Sequence, residues 1–106
     1  MSPDETVRAL GALAQGHRLA AFRLLVQAGR EGLAAGALAQ AVGITPSSLS
    51  FHLAQLGHAG LIEQRRAGRS LIYSANFAAM NEVLAYLTDN CCAGAECGAP
   101  APADCG

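Results

Sequence analysis

Lysine is missing from the chain, so all seven of its cations are arginine. Arginine keeps its charge in any surroundings and forks onto phosphate or guanine better than an ammonium can. Cysteine is missing from the first ninety residues, and all four copies fall in the last sixteen. The body of the fold therefore forms without disulfides. No apolar run reaches the roughly 18 residues of a membrane span, and the opening MSPDETVRAL is acidic rather than basic then apolar. Neither an anchor nor a signal peptide is expected. Thiols in such a chain point to a reducing, cytoplasmic setting, where they bind metal or sense more often than they staple.

The 106 residues support one small domain, whose surface-to-volume ratio leaves a monomer marginal and favours a dimer. A net charge of −1 hides an asymmetry. Residues 1–70 hold all seven arginines against Asp4, Glu5, Glu31 and Glu63, whereas residues 71–106 hold Glu82, Asp89, Glu96 and Asp104 and nothing basic.

Within the basic part, residues 45–60 read TPSSLSFHLAQLGHAG. Thr45 suits a helix cap and Pro46 the first helical position, where a missing N–H is harmless. Leu49, Leu53 and Leu56 recur at helical spacing and form one buried stripe. Ser47, Ser48, Ser50, Phe51, His52 and Gln55 occupy the rest of the wheel. These are short donors and acceptors with one ring, and no Glu or Lys among them, unlike an ordinary solvated face.

Ser2, Pro3 and Glu5 form a capping-box pattern that predicts a first helix to about Gln15, stopped at Gly16 and striped by Val7, Leu10, Leu13 and Ala14. Residues 17–28 read as a second helix, with Leu19, Phe22, Leu25 and Val26 inward and Gly29 as its stop. Leu33 can add one or two residues of strand. A third helix over residues 34–42 buries Leu38 and Val42, and Gly43-Ile44-Thr45 joins it tightly to the next, which is helix-turn-helix spacing. Two β runs, Leu61 to Arg66 and Arg69 to Ser74, flank Ala67-Gly68 and predict a hairpin with Arg65, Arg66 and Arg69 at its tip. A last helix over residues 77–88 carries Phe77, Met80, Val83, Leu84 and Leu87, more apolar face than one small core needs. Residues 91–106 are rich in Gly, Ala and Pro without periodicity, which predicts a flexible Cys-rich tail after a folded unit of residues 1–90.

The segments SSLSFHLAQLGHAGLI and AGLIEQRRAGRSLIYSA, the latter with Arg66, Gly68, Arg69 and Tyr73 in an R-x-G-R-x-x-x-Y wing, resemble the winged-helix repressors of the ArsR/SmtB family over roughly residues 6–87. The resemblance implies a mainly α fold with a β-hairpin wing, a dimeric winged helix-turn-helix. It further implies a cytoplasmic homodimer joined through its first and last helices. Such a dimer binds double-stranded operator DNA at an imperfect inverted repeat and leaves it when a metal ion, a metalloid or an oxidant reaches its cysteines.

A helix of this size fits the major groove. Ser47 and Ser48 then sit at the N-terminal end, where free N–H groups favour phosphate. Ser50, Phe51, His52 and Gln55 lie a turn further on, where Gln can read adenine, His guanine or phosphate, and Phe a thymine methyl. Family members often place Arg or His where Phe51 stands, which leaves base preference open. Arg65, Arg66 and Arg69 would grip backbone or minor groove, adding affinity and salt dependence rather than sequence choice. His17 and His58 are expected to pack or cap.

In the tail, Cys91 and Cys92 are adjacent and Cys97 follows after four residues. Neighbouring Cα atoms about 3.8 Å apart make poor disulfide partners, whereas a flexible loop can fold three sulfurs around one soft ion. As(III) and Sb(III) take three sulfurs pyramidally, which makes them the expected inducers. Zinc or cadmium, with Cys105 as a fourth ligand, ranks second. A thiol redox switch ranks third, because the cysteines follow a helix C-terminus among acidic residues. An incidental tail ranks below these. The familiar arsenic-responsive members carry a C-x-C motif in the helix before the turn, and here that helix reads AAGALAQAV. The resemblance is therefore to relatives with a Cys-Cys pair after the last helix. No nucleophile, base or cofactor loop suggests an enzyme. A metal-binding interaction module without operator preference is the reading from another class.

Overall fold

A computed structural model describes residues 1–94. Helices α1 (Pro3–Leu13) and α2 (Gly16–Ala28) lead through a 3-10 turn (Gly29–Glu31) to the short strand β1 (Leu33–Ala34). Helices α3 (Ala35–Val42) and α4 (Pro46–His58), strands β2 (Ile62–Ala67) and β3 (Ser70–Ala75), helix α5 (Phe77–Thr88) and a turn over Cys91–Gly94 complete the described chain. The sheet order is β1-β3-β2, all antiparallel. No described helix is long and apolar enough to cross a membrane.

The capping box at Ser2 is complete: its hydroxyl accepts from the Glu5 amide, while the Glu5 carboxylate accepts from the Ser2 amide. The next boundary differs from expectation. Helix α1 ends at Leu13, and Gly16 opens α2 instead of closing α1. Gln15 is extended and its side-chain oxygen accepts from the Arg18 amide at 2.9 Å, so a side-chain cap starts α2 before the glycine can break anything. Gly43 takes the left-handed conformation between α3 and α4, as the tight turn demands.

Leu25, Leu38, Leu49, Leu56 and Leu61 are the largest fully buried side chains, and each contributes about 2 kcal/mol through burial. Phe22, Leu53, Phe77 and Val83 join them, so the leucine stripe of α4 sits in the core it was expected to face. Thr6 and Ala9 are the buried positions of α1, whereas Val7 and Leu10 of the expected stripe are 69% and 40% exposed. Leu19 of α2 and Leu87 of α5 are also exposed. Leu10, Leu13, Leu19, Phe22, Met80 and Leu84 line an open apolar groove of about 420 Å³ between α1, α2 and α5.

Asn76 locks the other side of the domain. Its amide donates to the Leu61 carbonyl at 2.8 Å and its side-chain nitrogen to the Gly60 carbonyl at 3.0 Å. The side-chain oxygen accepts from the Ala79 amide at 3.1 Å, capping α5. The start of α5 is thereby fastened to the segment that ends α4.

Candidate nucleic-acid interface and cysteine segment

Thr45 caps α4, its hydroxyl accepting from the Ser48 amide at 3.2 Å. With Leu49, Leu53 and Leu56 buried, Ser47, Ser48, Ser50 and Phe51 are exposed and Gln55 is half-buried. These five side chains stand where expected, on or beside the outward face of a 13-residue helix. Charge is absent from that face, so contacts along it are made by hydroxyls, an amide and a ring.

His52 is placed differently from the DNA contact expected of it. It is half-buried at the flank of α4. Its Nδ1 lies 3.4 Å from Arg18 Nη1. Arginine can only donate, so this nitrogen accepts and the imidazole is neutral. The His17 ring lies 5.5 Å away between centroids, in keeping with the packing role expected of His17. Arg18 Nε also donates to the Ala12 carbonyl at 2.7 Å, so one guanidinium joins the end of α1 to α4. Partial burial lowers the pKa of His52, and the charges of Arg18 and His17 push the same way.

The neutral form is thus favoured in the fold, while an unfolded histidine protonates near pH 6.5. Below that pH the unfolded chain binds the extra proton, so this contribution to stability is full above about 6.5 and is lost as pH falls through the lowered folded value. Urea melts at pH 7.5 and 5.5 are expected to show a larger acid-side loss for the wild type than for His52→Gln. Equal losses would remove His52 from the account.

In the wing, Ala67 pairs with Ser70, so the turn is Gly68-Arg69, with Gly68 at φ 64°. Arg66 stands opposite Leu71 beside it. Arg65 lies one pair further in and folds back on the body, its Nη2 donating to the Glu31 carbonyl at 2.9 Å. The tip cations are therefore Arg66 and Arg69, with Arg65 serving first to hold the wing against the turn after α2.

Beyond α5, Asn90, Cys92 and Ala93 take positive φ near 55°. Cys91 and Cys92 direct their sulfurs to within 3.6 Å of each other. That is too long for a bond between the two, at about 2.05 Å, although both cysteines are in the disulfide form here. Among the described residues no three His, Cys, Asp or Glu side chains gather as a metal site. The third expected ligand, Cys97, and Cys105 lie outside the described residues.

The bridging role of Arg18 between α1 and α4 is not among the expectations drawn from the sequence. The pairing of positions 18 and 52 is a long-range contact with no local sign. The cap at Asn76, directly before the apolar run of α5, did have one.

A helix-turn-helix whose second helix offers an uncharged polar face, beside a hairpin tipped with arginine, defines a winged DNA-binding domain. A family described as "Helix-turn-helix domain" matches residues 13–65. The HTH-type transcriptional regulator YgaV of Escherichia coli K12 is 31% identical over 91 residues, covering 86% of this chain and 90% of that protein. The nodulation protein NolR of Rhizobium meliloti is 38% identical over 80 residues, and there the match takes in 76% of this chain but 63% of the relative's length. The homodimeric winged helix-turn-helix domain Mb0332 of Mycobacterium bovis, described as a possible ArsR-family transcriptional regulator, superposes with a TM-score of 0.64 at 31% identity, covering 82% of this chain and 81% of that one. The chain belongs to this helix-turn-helix family of transcriptional regulators, and its structural neighbours are ArsR-type winged-helix proteins. The family is one of regulators and not of enzymes.

Proposed function

We propose that the chain is a cytoplasmic, homodimeric transcriptional repressor of an arsenic-resistance operon. It sits on an imperfect inverted repeat and leaves it when As(III) or Sb(III) is bound by Cys91, Cys92 and Cys97. The observation that carries this reading is the pair of converging sulfurs 3.6 Å apart, three residues past the end of α5. Once reduced, two neighbouring soft thiolates suit a thiophilic ion, which they would share more readily than bridge directly. Helix α5 also lines the apolar groove with α1 and α2. A second copy covering the groove would supply the dimer; the similar Mb0332 domain is described as homodimeric. An ion that orders the segment after α5 then acts next to the dimer contact, and it shifts the DNA-bound equilibrium by its differential affinity for the two states.

A second reading, release on thiol oxidation, draws on one observation: Cys91 and Cys92 are in the disulfide form here. Loading with a metalloid therefore begins from reduced protein.

The test is a titration of the reduced, operator-bound chain with arsenite, antimonite, Zn(II), Cd(II) and an oxidant, following DNA release. Arsenite and antimonite are expected to release it at the lowest concentrations. Cys91→Ser, Cys92→Ser and Cys97→Ser are each expected to raise the arsenite needed by at least about tenfold, the factor that one lost ligand worth 1.4 kcal/mol produces. Undiminished release from all three variants would sink the site assignment. Release by zinc or by oxidant alone would install the corresponding alternative.

A further inference from the structure

Phe51 is the only large apolar side chain on the outward face of α4, and 60% of it is exposed. Ser47 and Ala54 beside it are exposed as well, and Gln55 follows one turn on. The ring is propped where it stands. It meets His52 edge-on, with centroids 5.6 Å apart and planes at 69°, while His52 is held by Arg18 and flanked by His17. Arg18 is itself tied to the last turn of α1. An aromatic ring held outward among hydroxyls, with no apolar cover from the described residues, calls for an apolar partner.

Base edges in the major groove offer one apolar feature, the C5-methyl group of thymine, or of cytosine when it is methylated. Resting on the reading of α4 as the helix that enters the groove, we propose that Phe51 is a specificity-determining residue that reads a C5-methyl group, that of a thymine, in each operator half-site. The neighbouring serines are too short to displace the ring from the centre of the face, and they are left for phosphates and base edges on either side. Neutral His52, its Nδ1 engaged, braces the ring.

The experiment starts with the full chain selecting its duplex from random, unmethylated DNA. Each thymine of the selected site is then replaced by uracil, which lacks the methyl and keeps its pairing. One thymine per half-site is expected to lose about 4-fold in affinity on replacement, the worth of one buried carbon. Replacing the symmetric pair should lose about 15-fold. In Phe51→Ala this sensitivity should vanish, while every other thymine keeps its effect. The exposure of Phe51 predicts an unchanged melt for that variant, which checks that it is folded. In a second arm, C·G is placed at the sensitive position. There 5-methylcytosine is expected to bind the wild type about 4-fold more tightly than cytosine, with no difference for Phe51→Ala. A selected site without a methyl-sensitive thymine, or a sensitivity that survives Phe51→Ala, overturns the proposal and leaves DNA binding standing. Failure to select any duplex over scrambled DNA overturns both.

Discussion

Replacing Gly32 with alanine is expected to destabilise the domain by roughly 2 to 5 kcal/mol, the sum of a positive-φ non-glycine residue and an overpacked contact. Gly32 has φ 72°, and a Cβ there would drive into the carbonyl of Tyr73, lying 2.9 Å from its carbon and 3.2 Å from Ile72 Cγ2. The obstacle is backbone and has nowhere to go. Tyr73 belongs to the central strand, paired with Leu33 on one side and Gln64 on the other. Relief therefore means detaching β1 and loosening the seat of the wing. Against a total stability of about 5 to 15 kcal/mol, a urea melt would show a large fall in midpoint. Gly36→Ala is the contrast. Gly36 lies in α3 with nothing within 4 Å of the added methyl, so a gain of about 0.5 to 1 kcal/mol is expected. Similar midpoints for the two variants would refute the steric account.

The second large effect lies in the wing. Arg66→Ala with Arg69→Ala removes two tip cations per protomer and four per dimer. Each phosphate contact contributes about 0.9 to the salt slope, so the slope of log affinity against log salt should fall by roughly 3.6. Affinity near 150 mM salt should drop on the order of 100-fold or more, almost equally for specific and scrambled duplexes. Arg65→Ala should move the slope far less, because its guanidinium is spent on the Glu31 carbonyl. A loss confined to the specific duplex would make the wing a base reader instead of a grip.

Much of this architecture is legible in residue order, and the reasons are local. The span of α5, the leucine stripe of α4 and the hairpin all follow from periods of 3.6 or 2 bounded by caps and turn residues. The one or two residues of strand expected at Leu33 are found as Leu33–Ala34, paired to β3. What misled was periodicity read as burial. Val7, Leu10 and Leu19 form helical stripes, yet all three are exposed. A stripe records that something covers it and is silent on whether that is the chain's own core or another copy. Gly16 misled for a different reason: a glutamine cap outweighed the breaker. At the interface, solvent-facing positions on α4 were recoverable from the wheel. The capture of His52 by Arg18 and of Arg65 by Glu31 were not, since each joins residues 34 apart in the chain.

The three bonds of Asn76 have a mechanical meaning. A single residue ties the segment after α4 to the first turn of α5, so the two helix ends meet at one fixed point although the hairpin runs between them. Joined in this way, the two are expected to move as arms of one bell crank with its pivot at the asparagine. On the proposed reading, a tilt imposed at the cysteine segment is then expected to reappear at α4.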